Sequence, residues 1–301
     1  VNRHSLLKSI SCFFVAVLIF SGSAYAGEKL FLWEVQSKRP GSASVFLLGT
    51  MHVWKQSDYP LPEAIEQALK RARVLAVEVD TANPQTQQRM MSRAFYGAED
   101  SLERHLPSDV LNDTQAALKA LGLDTGPLAQ AKPWLLGSML IATAAGKEGY
   151  RADLGIDTYL MQKAMNQGKR IVELESADFQ IDVMESLTPA EQVLFVKEAI
   201  QLLRGNKIRQ TFNDFVAAWN RGDTAQMDRL LRAELKNDPL AESFYKRLFE
   251  DRNPAMAEKI IRLSEGFDPV LVAVGAGHLV GRGSVIEALT ARGYIVRQVS
   301  R

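Results

Sequence analysis

Short apolar runs that end in glycine or a carboxylate alternate along this chain with longer segments whose apolar positions recur every three or four residues. Leu30 to Val35 and Ser44 to Leu48 read as strands, separated by the turn-forming Arg39-Pro40-Gly41-Ser42. Leu61 to Ala72 places apolar residues at 61, 65, 68, 69 and 72, one stripe of a helix with Pro62 in its first turn. Val74 to Val79 is a third strand and carries Glu78 near its end. The order returns near the C-terminus: a strand at Leu271 to Val274, a helix at Ser284 to Arg292 closed by Gly293, and a strand at Tyr294 to Val299. Both units are short crossovers of the kind that set parallel strands in one sheet, so two related halves are expected to come together.

Between them, approximately 81–265 reads as mostly helical. Helices are expected at 85–96, 102–106, 108–121, 134–145, 156–167, 189–203, 206–220, 224–236, 241–253 and 254–264. Thr188-Pro189 and Asn253-Pro254 carry the cap-then-proline signal of helix starts. One strand interrupts them, Arg170 to Leu174, ending at Glu175. The expected fold is α/β: a central, mostly parallel sheet built from two related halves, with a large helical insertion.

The first 26 residues change the domain picture. Arg3, His4 and Lys8 precede an apolar stretch from Ile10 to Phe20, and small residues end at Ala24-Tyr25-Ala26. That is the pattern of a signal peptide cleaved after Ala26, which leaves a single domain over 27–301 and places it in the periplasm or outside the cell. The apolar stretch is short of the about 20 residues a membrane span needs, so no stable span is expected after cleavage. Cys12, the only cysteine, lies inside this segment. The mature chain therefore has no disulfide, no thiolate nucleophile and no cysteine-ligated zinc. Removing Arg3 and Lys8 from the 36 basic residues leaves 34 against 35 acidic ones. No basic stripe with interleaved aromatics is present, and nucleic acid is not an expected partner.

Only four histidines occur, and two of them close matching tetrads: Gly49-Thr50-Met51-His52 after VFLL, and Gly275-Ala276-Gly277-His278 after VLVAV. Glycine at a strand exit leaves a backbone without Cβ bulk beside a ring that binds metal or moves protons, so Gly49, Gly275 and Gly277 are read as shaping the site. Glu78 and Glu175 end apolar strands, where open α/β sheets gather their ligands. A carboxylate partly out of water there needs a cation, an imidazole or a proton beside it. Either histidine alone has a structural explanation; two in one context point to a paired site. Two imidazoles and two carboxylates at strand exits suit a mixed N/O site for a divalent transition ion such as Mn, Co or Zn, with water activation as its chemistry. His52, Glu78, Glu175 and His278 are thus both the expected metal ligands and the expected catalytic residues. Asp157 is read as a helix-start residue, Met90 and Met91 as core, and Arg282 and Ser284 as facing a polar group or solvent. The chain has no Gly-x-Ser-x-Gly elbow, no Walker loop and no His-Glu-x-x-His helix, which excludes the common serine hydrolase and zincin readings.

The segments FLLGTMHV, DYPLP, VLAVEVD, AKPWLL, GIDTYL with GKRIVELES, and VAVGAGHLVG resemble, in that order, the TraB/PrgY/GumN family, which is related to the Tiki proteins. The resemblance covers about residues 30 to 300. It implies an α/β core of the erythromycin-esterase and ChaN-like type. For the Tiki branch it implies metal-dependent peptidase activity at the two GxxH histidines and the glutamates, with a peptide or protein substrate. It also leaves room for a non-catalytic protein that holds haem, iron or another ligand, and for an accessory factor in envelope or polysaccharide assembly.

Overall fold

The computed structural model describes residues 29–36, 41, 43–205, 207–233 and 238–301. The signal-peptide reading at 1–26 lies outside the described residues, as does most of the turn at 39–42. Six strands form one sheet: β1 (Lys29–Gln36), β2 (Val45–Thr50), β3 (Val74–Val77), β4 (Arg170–Glu173), β5 (Val270–Gly275) and β6 (Ile295–Ser300), in the spatial order β4-β3-β5-β2-β1-β6. β3 and β5 are buried along their whole length and read as unbroken apolar runs, the signature of parallel strands covered on both faces. β6 lies at an edge and keeps Ile295, Arg297 and Ser300 exposed.

The sheet is mixed. β4, β3, β5 and β2 run parallel, whereas β1 is antiparallel to both β2 and β6. The C-terminal crossover therefore does not set β6 beside β5; it carries the chain past β2 and β1 to the far edge. The two expected halves do not repeat each other in their pairing. A crossover helix fixes the direction of the strand after it but leaves open how many strands it passes, and β6 takes the free edge of β1 while β4 forms the opposite edge of the sheet.

In the parallel part the registers align. Thr50 stands opposite Gly275, and Val77 stands opposite both Ala273 and Glu173, so four strands end at nearly the same height. Helices α1 (Glu63–Arg71) and α5 (Ile156–Asn166) enter the crossovers that run toward β4; α11 (Asn253–Ser264) and α12 (Val285–Ala291) enter those that run the other way. Right-handed crossovers in opposite directions place their helices on opposite faces. The contacts agree: Tyr159 and Lys163 of α5 both hydrogen-bond Glu66 of α1, and α11 packs on α12. Leu47, Leu48, Leu75, Val272 and Val274 are wholly buried between the layers, each contributing about 1.5–3 kcal/mol by leaving water.

The remaining helices are α2 (Pro84–Arg93), α3 (Ser108–Leu121), α4 (Pro133–Lys147), α6 (Ala177–Glu185), α7 (Pro189–Leu203), α8 (Lys207–Asn220), α9 (Thr224–Leu231) and α10 (Pro239–Tyr245). α3, α4 and α7 form a second small core around Val110, Leu118, Leu136, Leu140, Val196 and Ala199. α7 starts with a full capping box between Thr188 and Glu191, as the cap-then-proline signal indicates. The helix expected over 241–253 is broken instead: after α10 the chain passes through a π-helical turn at Lys246–Glu250 and re-enters helix at Asn253. Such turns are frequent at functional sites, and this one adjoins the strand ends described next.

Candidate active site

Four adjacent parallel strands deliver four side chains to one end of the sheet. Glu78 is the first residue after β3, and Glu175 lies two residues beyond β4, its N–H donating to the Glu78 carbonyl at 2.8 Å. His52 follows β2 by two residues. His278 lies in a short 3-10 turn, Ala276–Leu279, directly after β5 and is 2 % exposed. The two tetrads meet at Gly275. A Cβ built there would stand 3.2 Å from Glu78 Oε1, 3.5 Å from His52 Nε2 and 3.8 Å from His278 Cδ2. One missing side chain thus leaves both imidazoles and a carboxylate around a common point.

Each ring is held from behind. His278 Nδ1 lies 2.6 Å from Asn253 Oδ1, and the same amide donates through Nδ2 to the Gly283 carbonyl at 2.7 Å. That second bond fixes which way the amide faces, so His278 Nδ1 carries a hydrogen. Nε2 then faces Glu78 Oε2 at 3.6 Å, an acceptor opposite a carboxylate unless a proton or a cation lies between them. His52 Nδ1 lies 3.3 Å from Asp157 Oδ2, which leaves its Nε2 toward the same space. Asp157, together with the nearby Glu78, raises the His52 pKa from 6.5 to about 9, against the opposing effects of desolvation and of Arg252. With 69 % of its side chain accessible, His52 stands at the mouth of the site, where water screens part of that attraction.

Glu78 accepts from the Gly275 N–H at 2.6 Å through Oε1, and from Arg252 Nη2 at 2.8 Å and Gln180 Nε2 at 3.2 Å through Oε2. Burial alone would raise its pKa; His278, His52 and Arg252 outweigh that and hold it well below the usual carboxylate range. Glu175 faces Arg252 with both oxygens, at 2.9 Å to Nε and 2.6 Å to Nη2, and also accepts from Gln180 at 3.1 Å. Burial disfavours the Arg252 charge, but the two carboxylates raise its pKa above the ordinary value. Glu175 is therefore tied to a guanidinium rather than facing the histidines.

Among the described residues no three His, Cys, Asp or Glu side chains stand close enough together to enclose an ion. The donor chemistry nonetheless fits one: two imidazoles whose Nδ1 atoms are anchored by oxygen acceptors, with Nε2 atoms turned toward a shared carboxylate, is the usual outer support of a metal site.

The sequence pattern of the TraB/PrgY/gumN family matches residues 31–298. The chain belongs to this family. Among curated relatives it is 28 % identical to the uncharacterized protein YbaP of Escherichia coli over 83 % of this chain and 89 % of YbaP. It is 25 % identical to Metalloprotease TIKI2 of Danio rerio over 88 % of this chain and 60 % of that protein, and 21 % identical to the Metalloprotease TIKI homolog of Amphimedon queenslandica over 91 % and 62 %. No solved structure matches the chain.

In this TraB/PrgY/gumN chain the three tetrad glycines do different things. A Cβ on Gly49 would stand 2.5 Å from Phe31 Cδ1, and one on Gly277 would overlap the Phe249 ring; both are packing constraints. Gly275 alone borders the site. A fourth glycine, Gly155, bears on the site: a Cβ there would stand 2.5 Å from the His52 carbonyl, and the next N–H, of Ile156, donates to the Met51 carbonyl at 2.9 Å. The GIDTYL segment thus clamps the His52 loop from behind, and Asp157 completes the clamp. Asp157 lies in the first turn of α5, as its helix-start reading expects, but it makes no capping bond and its carboxylate serves His52 instead.

Gln180, Arg252 and Asn253 carry no site reading in the sequence, the first because no helix is expected over 177–185, where α6 forms. Its signal was present in Ser176, which caps the helix, followed by apolar Ala177 and Ile181. Arg282 is 83 % exposed and lies 3.6 Å from Glu250, while Ser284 caps α12. His105 pairs with Asp100 and stacks on Tyr96, away from the site. Met91 is exposed rather than core, because it falls on the outer face of α2.

The site opens into a cavity of about 490 Å³ between α2, α4, α6 and the π-helical turn. A larger hollow of about 800 Å³ lies elsewhere, against Leu32, Phe46, Pro62 and Val299, and includes none of the four strand-end residues. Thr50 Oγ1, Trp134 Nε1 and Asp157 Oδ1 are buried without a hydrogen-bond partner, and all three residues line the site cavity. Unpaired polar atoms gather where a structure serves something besides stability.

Proposed function

We propose that this protein is an exported metal-dependent hydrolase that cleaves peptide bonds, with His52, His278 and Glu78 as the residues that would hold a Mn, Co or Zn type ion. The observation that carries the reading is the convergence of both imidazoles and Glu78 around Gly275. The Tiki relatives named as metalloproteases support the reaction class. When bound, the ion would supply Lewis-acid polarisation of a carbonyl and a more acidic water.

The chain's own residues then have distinct parts. Asn253 keeps the hydrogen on His278 Nδ1, so that Nε2 offers its lone pair. Glu78 stays ionised in a buried setting because cationic neighbours hold it so, and a carboxylate there accepts a proton from an attacking water. Arg252, fixed by Glu175, keeps Glu78 in place and balances its charge. His52, at the mouth and held through Nδ1 by Asp157, turns Nε2 toward the same space, and the proton taken up by Glu78 is the one returned to the departing amine. Glu175 acts in this scheme as the anchor of Arg252.

The test is cleavage of an unstructured protein such as casein by protein purified without chelators. Activity is expected to vanish with chelator, return with Mn, Co or Zn, and fall at least about 100-fold in Glu78→Gln. Activity indifferent to chelation and to that substitution would overturn the proposal.

A further inference from the structure

Two helical segments share one arrangement around the carboxylate pair. On α6, Gln180 hydrogen-bonds both Glu78 and Glu175, and Met184 follows four residues later on the same face. At the π-helical turn, Arg252 binds both carboxylates and donates through Nη1 to the carbonyl of Leu248, four residues earlier, at 2.7 Å. In each case a polar residue touches the site and an apolar residue stands one turn, about 5.4 Å, away. Met184 and Leu248 line the same cavity as His52 and Glu78, and Met90, Trp134 and Ile181 complete its apolar wall.

The charges of this cavity narrow what enters. Arg252 is the only lysine or arginine among its lining residues, and both carboxylates already occupy it. An anionic ligand such as a phosphate or an acidic sugar finds no free cation there apart from His52. A polyol would find no partners for its hydroxyls along Met90, Ile181, Met184 and Leu248. A peptide suits both ends, with its amide at the polar end and a side chain reaching one turn farther, since neighbouring Cα atoms lie 3.8 Å apart.

We infer that the substrate presents a bulky apolar side chain such as Leu or Met beside the scissile bond, seated in the pocket formed by Met90, Trp134, Ile181, Met184 and Leu248. This rests on the hydrolase reading above for the words scissile bond, but not for the pocket.

The experiment measures binding to chelated, metal-free protein by calorimetry, using N-acetylated, C-amidated hexapeptides that differ at one central residue. Leu against Asn and Met against Gln are near-isosteric pairs that isolate apolarity. The Leu and Met peptides are expected to bind at least about tenfold more tightly than their polar counterparts. Met184→Gln and Met90→Gln, both on partly exposed residues, are each expected to remove most of that margin. Equal affinities within the pairs, a margin unchanged in both variants, or no binding of any peptide would overturn the inference. Discrimination by the metal-free protein with no cleavage of the Leu peptide after metal loading would sink the hydrolase reading and leave the pocket standing.

Discussion

The backbone N–H of Gly275 donates to Glu78 Oε1 at 2.6 Å, across 197 positions of sequence. This bond joins the exit of β5 to the exit of β3 and leaves no room for a side chain between the carboxylate and His52. It also separates the tetrad glycines by role. Gly275→Ala places a methyl group 3.2 Å from Glu78 Oε1 and 3.5 Å from His52 Nε2, at a φ of −50° that alanine accepts. Metal uptake is expected to fall roughly 10- to 100-fold with little change in melting temperature. Gly49→Ala meets the core ring of Phe31 instead and is expected to cost about 1–3 kcal/mol in urea unfolding.

Asn253 holds His278 from behind and is 1 % exposed. Asn253→Leu removes both the ring partner and the bond to Gly283. Loss of stability is expected at about 1–3 kcal/mol, from the buried groups left unpaired, with a 10- to 100-fold weaker metal affinity. Asn253→Asp keeps an acceptor for His278 Nδ1 and should restore part of the affinity. Calorimetric metal titration of the two variants separates orientation from packing.

The His52 pair with Asp157 gives a pH signature. Its folded pKa of about 9 lies above the ordinary 6.5. Its contribution to stability is therefore complete below pH 6.5 and is lost as pH rises through 9. A cation and a proton compete for the ring, so apparent metal affinity should climb with pH up to about 9 and binding should release a proton. In Asp157→Asn the midpoint, followed by imidazole NMR, is expected to move down toward 6.5.

Glu191 supplies a prediction away from the strand ends. It closes the capping box of α7, accepts from Ser243 at 2.8 Å and lies 3.3 Å from Arg247, with 1 % exposure. Burial alone would raise its pKa, but the Thr188 N–H and the Ser243 hydroxyl outweigh that and lower it. Its stabilisation is thus present above the ordinary carboxylate pKa and lost as pH falls through the folded value. Glu191→Ala is expected to cost about 1–3 kcal/mol at pH 7 and less in acid, as read by urea titrations at both pH values.

What the sequence disclosed, and what it hid, divides by range. The positions of His52, Glu78 and His278 at the sheet end were legible because each follows an apolar run that forms a buried strand, and Glu175 shares that end although its strand, β4, is a partly exposed edge. The residues that orient them were not. Asp157 sits where helix starts commonly place an acid, and Asn253 precedes a proline, so local rules accounted for both before any distant partner was considered. Arg252 showed no pattern of its own, since its two carboxylates lie 77 and 174 positions away. The antiparallel landing of β6 was hidden for a similar reason: the choice of edge depends on β1, at the opposite end of the chain.

Cobalt titration of the metal-free protein, followed by its visible absorption, tests the convergence of the two tetrads most directly. One ion per chain is expected in the wild type, and His52→Ala and His278→Ala are each expected to weaken binding and alter the spectrum. If either variant binds cobalt with unchanged affinity and spectrum, the two histidines do not share a centre.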